Sequence, residues 1–135
     1  MRCASASLRT LMPAILVFAL AGCSSAWMFR KPAPDADYGA PPQNHEKLIN
    51  SYVKDSWWGE SGYHSPQRFG RPRKAYSNKG LIFGGSVDWI GYVVPFSLLD
   101  AKGGRTKVLA LIHDDTVHDV VTDNCTPCAI IQYVD

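Results

Sequence analysis

Glutamate is almost missing from this chain: Glu46 and Glu60 are the only two in 135 residues, so no pair of glutamates suggests glycoside chemistry. No Ser, His and Asp spacing places a nucleophile beside its base. Gly84-Gly85 and Gly103-Gly104 lack the strand, glycine and helix context of a phosphate loop. Net charge is missing as well. With residues 1–22 set aside, Arg2 and Arg9 leave the count of 14 Lys+Arg, and the remainder equals the 12 Asp+Glu. A nucleic-acid binder carries a strong basic excess, so no nucleic-acid partner is expected. The longest apolar stretch, Leu11 to Ala21, falls short of the ~20 residues that cross a bilayer as a helix. These absences lead to an expectation of no enzyme activity and no cofactor.

What is present begins with an address. Arg2 and Arg9 form a basic n-region, Leu11 to Ala21 a short apolar h-region, and Leu20-Ala21-Gly22-Cys23 closes it. The tetrad resembles the lipobox of bacterial lipoproteins. That resemblance implies diacylglycerol on the Cys23 sulfur, cleavage before Cys23 and acylation of the new N-terminus. The alternative is an ordinary signal peptide cleaved at Ala21 or Gly22, with Cys23 left as a thiol. Each buried methylene contributes ~0.8 kcal/mol, so one acyl chain holds weakly and two or three hold durably. In lipoproteins an Asp after the lipidated Cys favours the inner membrane. Ser24 stands there, which implies the periplasmic face of the outer membrane.

The expected organisation is a signal peptide over 1–22, a lipidated Cys and Pro/Ala-rich tether over 23–43, and one small periplasmic domain over 44–135. Pro32, Pro34, Pro41 and Pro42 are too close for a helix. A polyproline-like tether at ~3.1 Å per residue reaches up to ~60 Å. At its start, Trp27-Met28-Phe29-Arg30-Lys31 suits either the lipid headgroup level or a linear motif for a protein partner.

The spacing of Leu48, Ile49, Tyr52, Val53 and Trp57 predicts a helix over Asn44 to Trp58, with Asn44 as N-cap and Gly59 as stop. Residues 59–73 read as a loop. Strands follow at about 72–77, 81–98 with a break at Gly84-Gly85, 106–113, 116–122 and 129–134. The expected fold class is α+β: one N-terminal helix packed on a small antiparallel meander. Ile90, Tyr92, Val94, Phe96 and Leu98 should face one way, and Val87, Trp89 and Val93 the other. A lone helix covers one face only, so the second must be closed by the 56–71 loop, by curvature or by a partner. Pro95 lacks a ladder donor and predicts a break in pairing beside it.

Residues Tyr52-Val53-Lys54-Asp55-Ser56, Arg68-Phe69-Gly70-Arg71-Pro72-Arg73 and Gly91-Tyr92-Val93-Val94-Pro95-Phe96 resemble a group of small, poorly characterised proteobacterial lipoproteins, over about half the chain. The resemblance implies the architecture and leaves function open, and the chain departs from the group at Trp57 to Ser65 and Leu99 to Arg105.

Two constellations carry candidate chemistry. Cys125-Thr126-Pro127-Cys128 is a CxxC that should form a disulfide in an oxidising compartment. A redox role needs a helix after the first Cys, whereas the residues that follow read as strand. A zinc role needs further ligands. His113 and His118 flank Asp114-Asp115. A two-residue turn would put both imidazoles diagonally on one face, with position 111 opposite 118. Such a tip is ordinarily solvated, and no metal is expected.

The leading expectation is a membrane-anchored periplasmic lipoprotein that binds or braces an envelope protein. Its contact surface would be Trp89, Tyr92 and Phe96 with the basic strip Arg68, Arg71, Arg73 and Lys74. The alternatives are an accessory of a secretion or conjugation apparatus docking through Arg30 to Tyr38, and a thiol-disulfide oxidoreductase using Cys125 and Cys128.

Overall fold

A computed structural model describes residues 29–79, 85–123 and 130–134. Its elements are α1 (His45–Asp55), α2 (Trp57–Glu60), β1 (His64–Gln67), β2 (Arg73–Asn78), β3 (Val87–Leu99), β4 (Arg105–His113), β5 (Thr116–Thr122) and β6 (Ile130–Tyr133). The fold is α+β: one antiparallel six-stranded sheet in the order β5-β4-β3-β2-β6, with β1 also paired to β3.

The long β3 is the spine. On one side it pairs with β4 from Tyr92 to Leu99. On the other side β2 takes Val87 to Val93 and β1 takes Ser97 and Leu99. Pro95 stands in the gap between β2 and β1, where its missing N–H breaks no ladder. Its carbonyl accepts from Gly70 N at 2.7 Å. A side chain at Gly70 would meet the Pro95 ring, since a Cβ there lies 2.5 Å from Pro95 Cγ. The segment expected as a loop thus contains β1, a short polar strand whose Ser65 has positive φ and which Arg68, also at positive φ, closes.

The meander holds for β2 to β5, while β6 departs from it. Rather than lying beside β5, β6 returns to the open edge of β2, with Ala75 opposite Tyr133 and Asn78 opposite Ile130. That edge offers both an apolar and a polar fit. Ile131 packs on the cluster of Ala75 and Trp89, and Gln132 bonds Tyr76 Oη at 2.9 Å and Asn78 Oδ1 at 3.0 Å.

Both faces of the sheet are buried by the chain itself. The first layer joins Ile49 and Val53 of α1 to Val94, Phe96, Leu98, Val108, Ala110 and Ile112. The second holds Ala75, Trp89, Val93, Leu109 and Leu111. The alternation expected along β3 is observed, with Val94, Phe96 and Leu98 in the first layer and Trp89 and Val93 in the second.

The helix is shorter than its pattern. Asn44 occupies the N-cap without a side-chain capping bond, and α1 stops at Asp55 because Ser56 is extended (ψ 175°). The break changes which tryptophan is core. Trp58, 9 % exposed, turns inward and donates Nε1–H to Val120 O at 3.1 Å, while Trp57 is left 63 % exposed. Gly59 lies inside α2 rather than stopping α1, and a Cβ there would sit 2.6 Å from the carbonyl oxygens of Val53 and Lys54.

The Pro-rich segment also differs from its expected role. From Arg30 to Gln43 it lies on the sheet as a strap, so the packed domain begins by Arg30 rather than at Asn44. Arg30 N donates to Gly85 O at 3.0 Å, and Arg30 O accepts from Asn78 Nδ2 at 2.7 Å. Further along, Ala40 N donates to Asp114 Oδ1 at 3.3 Å, and Pro42 is buried. Gly39 has φ +74°, and a Cβ there would stand 2.6 Å from Asp114 Oδ1, so this crossing needs glycine.

Candidate functional site

The strap, β2 and β6 together enclose a concavity of about 490 Å³. Its wall carries Lys31 and Lys74 with Tyr38, Tyr76 and Tyr133, and no carboxylate is among its lining residues. Each group is positioned by a backbone element. Lys31 follows the Arg30 bond to Gly85, Lys74 and Tyr76 project from one face of β2, and Tyr133 ends β6. Val134 N donates to Lys74 O at 2.9 Å, which fixes the β6 end against this rim.

Two cation–aromatic contacts order the rim. Arg73, whose side chain leaves β2 on the face opposite Lys74, places its guanidinium 4.1 Å from the Tyr133 ring centroid. Lys74 Nζ lies 5.7 Å from that of Tyr38. Burial raises the Tyr38 pKa above the usual phenol value, and neighbouring Tyr76 adds to the shift, so this hydroxyl stays a hydrogen-bond donor at neutral pH. Ammonium and phenol donors, with no carboxylate among the lining residues, form a chemistry suited to an anion such as a phosphodiester.

The basic strip is therefore only partly one site. Of the four, Lys74 alone lines the concavity; Arg73 leaves the opposite face of β2, and Arg68 and Arg71 lie in the connection between β1 and β2. All four are exposed. Among the described residues none of them forms an ion pair; Lys79 pairs with Asp88 at 3.8 Å, and His113 Nε2 lies 3.4 Å from Asp114 Oδ2.

The three aromatics expected at the contact surface are core instead. Trp89 and Tyr92 are 7 % exposed and Phe96 3 %. Phe96 stacks on Phe69 at 5.7 Å beneath the helix layer. The Trp89 indole lies over Gly91, where a Cβ would come within 2.5 Å of Trp89 Cζ2. Both sheet faces close within the chain, which withdraws these side chains from any partner.

At the β4–β5 tip the two-residue turn forms, with Asp114 and Asp115 both at positive φ and His113 opposite Thr116. A bulge then moves the partner of Leu111 from position 118 to Asp119. His113 donates Nδ1–H to Ile90 O at 2.9 Å, and its Nε2 faces Asp114. His118 lines the same shallow depression. Among the described residues no group of three or more His, Cys, Asp or Glu could hold a metal ion.

Cys23, Cys125 and Cys128 lie outside the described residues, and β6 starts at Ile130. No described helix is long and apolar enough to cross a membrane. Comparison of the chain with family models, with curated proteins and with solved structures returns no match. Sequence reasoning missed Tyr38 and Tyr133 as site residues. They stand near opposite ends of the chain, and only the return of β6 to β2 brings them together.

Proposed function

We propose that this chain is a lipoprotein of the outer membrane, held at the periplasmic face through lipidated Cys23, and that its domain is a non-enzymatic binding module of the cell envelope. Residues 1–22 are its signal peptide in this reading, and the mature chain starts at Cys23. The lipobox supports the anchor. The observation that carries the binding role is the set of exposed cations Arg68, Arg71, Arg73 and Lys74, none ion-paired among the described residues. With Trp89, Tyr92 and Phe96 internal, the contact surface is this strip. Exposed cations set against an acidic partner act on the rate and specificity of docking more than on raw affinity.

The alternative in which a secretion or conjugation apparatus orders Arg30 to Tyr38 is less well supported, because the chain's own sheet already seats that segment. The oxidoreductase alternative is likewise weakened. Strand, not helix, follows the CxxC at Ile130, and a low-pKa nucleophilic thiol is usually set at a helix N-terminus.

The test is mild crosslinking and affinity purification of the lipidated protein from detergent-solubilised envelopes, with mass spectrometry of what accompanies it. A stoichiometric envelope protein that is lost in Arg68→Glu/Arg71→Glu is the expected result. Recovery of the lipidated protein alone would overturn the binding role.

A further inference from the structure

The strap changes the geometry of anchoring. An unattached tether of Pro-rich chain would let the domain stand up to ~60 Å from the bilayer. Because Arg30 is bonded to Gly85 and Asn78, seven residue steps separate Cys23 from a point fixed on the sheet. Seven Cα steps at ~3.3–3.6 Å each span about 25 Å at most. The thirteen residues of β3, at ~3.3 Å rise, make the sheet about 40 Å long, with Gly85 preceding one end and the Asp100–Gly104 turn following the other. With Cys23 lipidated, the Gly85 end lies within about 25 Å of the membrane, and the turn at Gly103 and Gly104 follows the far end of β3.

The concavity begins at Lys31, one residue from that bonded point, and runs along the sheet to Lys74, opposite Tyr92 midway along β3. Its donors are cationic and phenolic, no carboxylate lines it, and its volume falls within the roughly 300–1,000 Å³ of small-ligand sites. An anionic leaflet attracts basic groups held within a Debye length of its surface. We infer that this concavity, with Lys31 and Lys74 on its wall, docks on anionic phospholipid headgroups of the same bilayer that holds the lipid of Cys23. The inference rests on the anchoring part of the proposed function. It gives the domain a fixed orientation, membrane-facing at Lys31 and Lys74, and leaves Arg68 and Arg71 for a protein partner.

The experiment uses the full chain expressed in a bacterial host and purified in detergent. Intact-mass analysis comes first. A diacylated Cys23 keeps the anchoring reading, and an unmodified Cys23 overturns both that reading and this inference. The lipidated, isotope-labelled protein then goes into nanodiscs doped with a gadolinium-chelating lipid, of phosphatidylglycerol in one sample and phosphatidylcholine in another.

The expected result in phosphatidylglycerol is loss of amide signal intensity at Arg30, Lys31, Lys74 and Tyr133, with Gly103 and Gly104 intact. The loss should be weaker in phosphatidylcholine and in Lys31→Gln/Lys74→Gln, whose substitutions are on exposed side chains and keep the fold. Equal loss at both ends of the sheet, or none at the four amides, overturns the orientation while the mass result preserves the anchor. Equal loss in both lipids and in the double variant overturns headgroup recognition, since proximity would then come from the covalent tie alone.

Discussion

The two halves of the first sheet face are covered in different ways. Over β3 to β5 lies α1, whose Ile49 and Val53 complete an apolar layer with Val94, Phe96, Leu98, Val108 and Ile112. Over β2 and β6 lies the strap, which is held by the Arg30–Gly85 backbone bond, by Asn78 donating to Arg30 O and by Ala40 N donating to Asp114. The first cover is stabilised by area removed from water and the second by directed bonds to a few buried polar atoms. An apolar layer fails as a unit, whereas a bonded strap can open while the rest of the sheet persists.

The sharpest break should come from the apolar half. Leu98, fully buried, is expected to cost about 2–5 kcal/mol when changed to Ala, through lost transfer energy and the cavity left behind. Urea unfolding should show one transition at a much lower midpoint. A midpoint near that of the parent would mean that the helix layer does not carry the stability.

Asn78→Ala should cost less, about 1–3 kcal/mol, because Arg30 O, Gly85 O and Gln132 lose a partner at a residue only 2 % exposed. Its effect should also be local. Hydrogen exchange is expected to accelerate at the Arg30 amide while Val94 and Ile112 keep their protection. If all three accelerate together, the halves are one cooperative unit and the distinction between them fails.

Gly39→Ala acts on the crossing between the halves and should cost roughly 1–2 kcal/mol, the penalty of a left-handed conformation with a side chain. Asp114→Ala relieves the contact with Asp114 Oδ1 but not the conformation, so the double variant should regain only part of the loss. Full recovery would show that contact, rather than backbone, fixes glycine there.

The two covers also differ in how they are written in the sequence. Leu48, Ile49, Tyr52 and Val53 recur at helical spacing, and β3 and β4 alternate, so the apolar half follows from periodicity. The strap has no period. Its attachment depends on Asn78 and Gly85, polar and small residues whose roles appear only once the strands are registered. The same limit explains β6. Its sequence fits a strand, but a pattern of alternation does not choose between the free edges of β5 and β2. It explains the tryptophans as well, since the single extended residue Ser56 exchanges Trp57 for Trp58 in the core. Of the site, Arg73 and Lys74 stood out as charges. Tyr38 and Tyr133 did not, because their meeting is tertiary.

The smallest effect separates the halves by titration. Burial raises the pKa of Tyr52 on α1, with the charge of Asp119 and a hydrogen bond to it adding to the shift. Burial also raises that of Tyr38 on the strap, with Tyr76 as the second cause. In both cases the folded chain holds the phenol proton more tightly than the unfolded chain. The resulting stability is fully present below the unfolded phenol value of about 10 and is lost as pH rises through the folded value. Absorbance titration of the folded protein should therefore place these two phenols later than in urea. Asp119→Asn should bring Tyr52 back toward about 10 and leave Tyr38 unmoved. A shift of both would mean that the two covers communicate electrostatically across Gly39. No shift of Tyr52 would assign its displacement to burial beneath the helix alone.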